Sequence, residues 1–178
     1  MLFVTPRQVG RIEYGRMVRD GIIRTLIPGH ALPAGIPDSP PLRRTMLGAL
    51  VPAGAQVTGL AAAWAHGCGD LPTVVHVRTD PRRRVRSMSF PLPLEQHGVG
   101  IAATGDGFPG AIAPLEVALV DAMRWSPEAA TACVRSSLRS GAVLRERIDA
   151  RVAEVTRARA SPELEGAWAE ATRALDAA

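Results

Sequence analysis

Residues 5–33 determine how the fold begins, and they read TPRQVGRIEYGRMVRDGIIRTLIPGHALP. Thr5, Pro6 and Gln8 have the spacing of a helix start. The threonine caps the helix, the proline suits its first position, and the glutamine reaches back to the cap. Gly21 is placed to end this helix in a left-handed conformation. Because the two interior glycines lower helix propensity, the pattern predicts a helix that is kinked or held by tertiary contacts.

A β-hairpin is predicted directly after this helix. Residues 22–27 are rich in β-branched side chains, residues 28–29 are a Pro-Gly turn, and residues 30–32 form the return strand. A helix followed by such a ribbon is the DNA-reading half of a winged helix-turn-helix. The complete motif needs helices before the recognition helix, and only four residues precede Thr5. The sequence therefore predicts an abbreviated winged-helix-like module over residues 1–51.

Positive charge is concentrated in this first module. Residues 1–51 contain seven arginines and three acidic residues, which gives +4, equal to the net charge of the whole chain. An excess of this kind indicates an anionic partner. Arginines neutralise phosphates and read guanine, although a solvated basic surface would contain the same residues. The predicted DNA contacts are Arg7, Arg11, Tyr14, Arg16 and Arg19 from the helix, Arg24 from the wing, and Arg43, Arg44, Arg82, Arg83, Arg84 and Arg86 on flanking phosphates.

The basic run in residues 82–86 follows an Asp-Pro turn and has three interpretations. It is a second phosphate-binding site, a contact for an acidic partner, or a solvated turn. The sequence does not distinguish between these interpretations.

Residues 52–178 predict an α+β domain with a small antiparallel sheet and C-terminal helices. Residues 33–41 form a linker by composition. The remaining predicted helices cover residues 40–50, 60–66, 114–124, 127–139, 144–157 and 162–175. The predicted strands cover residues 73–78, 84–90 and 99–104. The expected fold class is therefore α+β.

Composition and motifs restrict the function. No apolar run is long enough to span a bilayer, and the N-terminus lacks the features of a signal peptide, so we expect a cytoplasmic protein. The two cysteines, Cys68 and Cys133, are expected to be reduced and buried. His66, Cys68 and Asp70 could serve a small enzyme, but a helix end closed by glycine explains the same residues, and they form no zinc or nucleophile motif. We therefore expect no catalysis, cofactor or metal.

Four segments resemble the AbiEi-type antitoxins of type IV toxin–antitoxin systems in actinobacteria and other bacteria. The resemblance extends from the basic helix to about residue 155. The segments are VTGLAAAWAHG (57–67), VVHVRTDPRRRVR (74–86), GDGFPGAIAPLEVALVDAM (105–123) and EAATACVRSSLRSGAV (128–143). The resemblance implies an N-terminal winged helix that binds operator DNA and represses its own operon. It also implies a C-terminal α+β domain that counteracts a nucleotidyltransferase-type toxin without forming a tight complex with it.

The expected function is thus a DNA-binding transcriptional regulator and antitoxin. Its partners would be its own promoter and a cognate toxin, and no membrane contact is expected. The sequence does not determine the oligomeric state. An alternative function is suggested by residues 161–165, SPELE. These residues resemble the start of a very-short-patch-repair-like endonuclease domain in actinobacterial proteins. No nuclease site follows them here. The chain would then be a non-catalytic interaction or regulatory module whose arginines serve solubility.

Overall fold

The computed structural model describes residues 3–82, 90–99 and 111–176. These residues form eight helices and five strands, which confirms the α+β class. The strands make two separate sheets, one of two strands and one of three. The two-stranded sheet belongs to the basic N-terminal segment, and the C-terminal helices form a layer against the larger sheet.

The predicted first helix is divided in two. Helix α1 spans Pro6–Val9 and helix α2 spans Arg11–Arg19, with Gly10 between them at a φ of 86°. The predicted kink therefore lies at Gly10, where a left-handed backbone interrupts the helix. The predicted start is also confirmed, because the Thr5 amide donates a 2.8 Å hydrogen bond to Gln8 Oε1.

The predicted hairpin is confirmed. Strand β1 covers Ile23–Ile27 and pairs antiparallel with β2, His30–Pro33. Gly29 occupies the turn at a φ of 71°, as a type II turn requires of its third residue. Gly21 has a φ of 69°, so it ends α2 in the left-handed conformation expected of it.

Helix α3, Pro40–Leu50, joins the hairpin to the rest of the molecule. It buries Met46 and Leu47 in a hydrophobic cluster that also contains residues of the hairpin and of the larger sheet. This cluster crosses the boundary predicted at residue 51. The division into residues 1–51 and 52–178 stays a prediction, but the two parts share one core.

The larger sheet is mixed rather than antiparallel, which corrects the prediction. Strand β3 (Ala55–Val57) lies antiparallel to β4 (Val75–Thr79), and β5 (Leu94–Gly98) lies parallel to β4. Helix α4, Gly59–Ala65, follows β3 as expected. The strands predicted over residues 84–90 and 99–104 fall almost entirely outside the described residues. Among the described strands, β3 and β5 pair with the two edges of β4.

Four helices complete the fold at the positions predicted for them. They are α5 (Leu115–Trp125), α6 (Pro127–Arg139), α7 (Arg145–Ala158) and α8 (Pro162–Asp176). Together with α4 they enclose a second hydrophobic cluster. In the part of the chain that the structure describes, none of the helices has the length and apolar character needed to cross a membrane.

Alternation along β4 gives the larger sheet two different faces. Val75 and Val77 are fully buried in the first hydrophobic cluster. His76 and Arg78 point the other way, where Asp121 and Trp125 of α5 meet them. The sheet therefore has one apolar face and one face of titratable side chains, and helix α5 lies over the second.

Candidate functional site

Helix α2 lies on the surface and buries none of its residues. Its attachment is to the hairpin. The Ile22 amide donates to the Met17 carbonyl at 2.9 Å, and the hydroxyls of Tyr14 and Thr25 hydrogen-bond at 3.3 Å. Tyr14 and Met17 are its least exposed residues, so they define the side of α2 that faces the protein.

The outward side of α2 carries three arginines. At 100° per residue, Arg11, Ile12, Gly15, Arg16 and Arg19 fall on one arc of about 140°. Ile12 is 91% exposed, and the side chains of Arg16 and Arg19 are 65% and 76% exposed. We call these five residues the α2 arc. It contains no acidic residue, so it presents a positive strip to any molecule that approaches.

Asp20 is the acidic residue closest to this strip. Its carboxylate lies 3.5 Å from Arg16 Nε and 3.7 Å from Arg19 Nε. Exposed pairs of this kind are worth less than about 1 kcal/mol, so phosphates can replace the carboxylate. Asp20 therefore orients the two guanidinium groups without neutralising the strip permanently.

Two further predicted DNA contacts lie on the elements next to α2, one on α1 and one on β1. Arg7 of α1 is exposed and lines a cleft of about 470 Å³ together with Arg11 and His30. Arg24 of β1 is exposed and donates to the Ile36 carbonyl at 3.3 Å. Arg7 and Arg11 thus share one cleft, whereas Arg24 contacts the segment that follows β2.

Arg43 has a role inside the protein. Its guanidinium donates to both carboxylate oxygens of Asp38, at 2.9 and 2.7 Å, and to the Trp64 carbonyl at 3.0 Å. The same group lies 4.9 Å from the centre of the Trp64 ring, a cation–π contact. The hydrogen bond from Arg43 holds the pKa of the Asp38 carboxyl below its usual value. A DNA contact at Arg43 stays a prediction, but this side chain mainly fastens residues 38–43 to α4.

The remaining predicted contacts lie elsewhere. Arg44 is half-buried on α3, and Arg82 is exposed in the turn after β4, where its amide donates to Asp80 Oδ1 at 2.8 Å. Arg83, Arg84 and Arg86 are outside the described residues.

The loop after α4 contains His66 and Cys68, and a backbone carbonyl lies within hydrogen-bonding distance of each. His66 Nε2 is 2.8 Å from the Ala113 carbonyl, and the Cys68 amide donates to the Ala63 carbonyl at 2.9 Å. Gly67 has a φ of 94°, so glycine ends the helix as expected. Both cysteines are free and buried, and burial raises the pKa of the Cys133 thiol to about 11.

A second group of functional side chains was not predicted. In the parallel register His76 lies opposite Glu95, and Arg78 lies opposite His97, so all four side chains share one sheet face. His76 Nδ1 and His97 Nε2 are 2.8 Å apart and share a hydrogen bond. The Glu95 carboxylate lies 3.8 Å from the first ring nitrogen and 3.9 Å from the second. We call His76, Glu95 and His97 the His–Glu–His cluster.

Helix α5 holds the rings of this cluster. Trp125 stacks on His97 with the ring centres 3.5 Å apart and the planes 4° from parallel. Ser126 Oγ lies 3.4 Å from His76 Nε2. Burial lowers the pKa of His76, and burial together with the neighbouring His76 lowers the pKa of His97 to about 4. Both imidazoles are therefore neutral near pH 7.

Asp121 holds α5 against the sheet one turn before Trp125. It is 1% exposed, accepts a 2.7 Å hydrogen bond from Thr58 Oγ1, and faces Arg78 Nε at 3.3 Å. Burial raises the pKa of the Asp121 carboxyl, while Arg78 and Thr58 oppose that change. This buried polar contact fixes the position from which Trp125 reaches the His–Glu–His cluster.

A cleft of about 700 Å³ opens beside the cluster. Residues 68–74, the start of α6 and Cys133 line it, together with His76, Glu95 and Trp125 of the site itself. The sequence offered one signal for this site, the Glu-x-His spacing at residues 95–97, which places both side chains on one face of a strand. That signal was missed because residues 94–98 were not recognised as a strand.

No protein-family model matches the sequence. No curated protein matches it either. The resemblance to AbiEi-type antitoxins therefore stays a prediction that depends on the four quoted segments.

Proposed function

We propose that this chain is a DNA-binding transcriptional regulator in which α2 lies in the major groove and the hairpin β1–β2 lies beside it as a wing. The observation that carries the proposal is the α2 arc: three exposed arginines on a helix that buries none of its residues. Arginine is the side chain that most often reads guanine and contacts phosphates. Ile12 adds an apolar contact of the kind that recognises a thymine methyl group.

The hairpin supports the same arrangement. It is tied to the end of α2 by the Ile22–Met17 hydrogen bond and to its middle by Tyr14 and Thr25. Arg7 of α1 and Arg24 of β1 are also exposed. Helix and hairpin would thus contact the duplex together, with the flanking arginines on phosphates, as in winged helix proteins.

Salt dependence of binding tests this proposal. If Arg7, Arg11, Arg16 and Arg19 each neutralise one phosphate, log K against log salt falls with a slope of about −3.6. The probe is the DNA upstream of the protein's own gene, and the measurement is fluorescence anisotropy between about 50 and 200 mM salt. Replacing Arg16 and Arg19 with alanine should reduce the slope by about 2 and weaken binding.

The matched control removes the same charge from a different helix. Arg157 and Arg159 are exposed at the C-terminal end of α7. The Arg157→Ala, Arg159→Ala variant should keep the slope and affinity of the unaltered protein. Equal losses in the two double variants would mean that only net charge matters, and the proposed role of α2 would be wrong.

The family resemblance extends the proposal to a toxin–antitoxin operon. The protein would repress its own promoter through α2 and counteract a nucleotidyltransferase-type toxin through residues 52–178. A promoter reporter and a growth assay with the neighbouring toxin gene separate these activities. The Arg16→Ala, Arg19→Ala variant should lose repression and keep growth rescue. Repression without any rescue would favour the alternative of a regulatory module that lacks antitoxin activity.

A further inference from the structure

The His–Glu–His cluster has the composition of a metal-binding site. Its possible ligand atoms, two imidazole nitrogens and a carboxylate oxygen, all lie within 4.8 Å of one another. The three residues come from adjacent parallel strands, so the sheet register holds them together. From this arrangement we propose that His76, Glu95 and His97 bind a divalent transition-metal ion, for which zinc is the best chemical match.

The distances are close to those of a tetrahedral site. With bonds of about 2.0–2.1 Å, neighbouring ligand atoms of a tetrahedral zinc lie about 3.3 Å apart. The two ring nitrogens are 2.8 Å apart, and each is 3.8–3.9 Å from a Glu95 oxygen. Binding would separate the rings by about half an ångström. The two Glu95 distances involve different carboxylate oxygens, so a single ligating oxygen would move in by up to about 1.5 Å. Glu95 can make that movement because its side chain is 58% exposed.

The donor set favours zinc over magnesium or calcium. Imidazole nitrogen suits zinc, copper and nickel, whereas magnesium and calcium require oxygen ligands almost exclusively. When the ion binds, the two nitrogens that now share a hydrogen bond both become ligands. One imidazole then moves its proton to its other ring nitrogen, so binding needs a change of tautomer and no net gain or loss of protons.

Neighbouring side chains are placed to orient the ligands. Trp125 stacks on the whole His97 ring, and the Ser126 hydroxyl lies next to the His76 nitrogen that faces away from the cluster. Metal-binding histidines usually have a polar partner at this second nitrogen, which fixes the tautomer. Ser126 can fill that role for His76, so Nδ1 is the nitrogen left for the ion.

Three protein ligands leave a fourth position on the ion. His76 and Glu95 also line the 700 Å³ cleft, so this position would open towards it. Water would fill it, or a donor atom from a molecule in the cleft, as in zinc sites with three protein ligands. The two buried cysteines line the same cleft and are not part of the cluster.

The competing interpretation is that the two histidines share a hydrogen bond and bind no metal. Measuring zinc binding directly distinguishes this interpretation from the proposed metal site. The untagged full chain is stripped with EDTA, desalted, and titrated with zinc against a chromophoric chelator. We expect one equivalent to bind. Cobalt should give the intense visible bands of a four-coordinate ion. Glu95→Gln and His97→Gln should each weaken zinc binding more than about 100-fold, beyond the usual effect of removing a group that only supports a ligand.

The controls use residues of the same types outside the cluster. Glu128→Gln on α6 and His30→Gln in the hairpin should bind zinc like the unaltered protein. The Cys68→Ala, Cys133→Ala variant should do the same, because the thiols are not ligands. Circular dichroism confirms that each variant is folded. Absence of one-equivalent binding, or binding that survives both cluster substitutions, would overturn the proposal. Loss of binding in the cysteine variant would place the ion elsewhere.

Discussion

Replacing Gly15 with alanine should make the protein more stable and its DNA binding weaker. Gly15 lies in the interior of α2 at a negative φ, and a Cβ added there would meet no atom within 4 Å. The folded protein can therefore accept the methyl group without strain. On the helical projection Gly15 sits between Arg11 and Arg19, so the methyl group points towards the surface that we propose for DNA.

The two expected effects have opposite signs. Alanine in an unstrained helix stabilises by about 0.4–1 kcal/mol, because glycine loses more backbone entropy on folding. At a helix that approaches DNA closely, the added methyl group would hold the backbone away from the base edges. Loss of one bidentate arginine contact costs about 1–3 kcal/mol, which is roughly 5- to 150-fold in affinity.

Urea unfolding gives the stability, and fluorescence anisotropy with the upstream DNA gives the affinity. The matched control is Gly166→Ala in α8, another exposed helical glycine whose added Cβ meets no atom within 4 Å. It should stabilise by a similar amount and leave DNA binding unchanged. If the Gly15 variant binds DNA as tightly as the unaltered protein, α2 does not approach the duplex through this face. If the Gly15→Ala variant is less stable than the unaltered protein, the space around Gly15 is not as open as the structure indicates.

Three further predictions concern the body of the protein. Arg43→Ala should destabilise by about 2–3 kcal/mol in urea unfolding, because it removes charge-assisted hydrogen bonds and a cation–π contact, whereas Arg44→Ala should change stability by less than about 0.5 kcal/mol. Asp121→Ala should cost about 3–5 kcal/mol, because it removes a buried carboxylate from an ion pair, and a smaller measured loss would contradict that role. Cys133 has a pKa raised from 9.0 to about 11, so the unfolded chain loses this proton first as pH rises. Stability should therefore fall by roughly 2 kcal/mol between about pH 9 and 11, and a Cys133→Ala variant should lack that loss.

Local signals predicted much of the fold. At three places in the sequence a serine is followed directly by a proline, which is a signal for the start of a helix. Helices α3, α6 and α8 begin at those prolines. The Pro-Gly pair at residues 28–29 predicted the hairpin in the same way. Signals of this kind act within a few residues, so they can be read without knowing what else packs nearby.

The larger sheet depends on contacts between residues that are far apart in the sequence. Its mixed topology and its strand β5 were therefore not predicted. Residues 94–98, LEQHG, are polar and only partly buried, so neither β propensity nor alternation marks them as a strand. They become β5 by pairing with β4 in parallel, and the pairing brings His76 beside His97. The His–Glu–His cluster is a product of this register. The α2 arc, in contrast, follows from helical periodicity once the helix is known to begin at Arg11. The break at Gly10 and the inward position of Tyr14 had to come from the structure.

The position of α2 also has an evolutionary consequence. Because α2 buries no residue and is tied to the fold through Tyr14, Met17 and Gly10, substitutions on the α2 arc leave the core intact. Helix α4, in contrast, buries six of its seven residues, so it cannot vary without a loss of packing. Drift at residues 11, 12, 15, 16 and 19 is therefore tolerated by folding, and a descendant can acquire a new target while it keeps the same body.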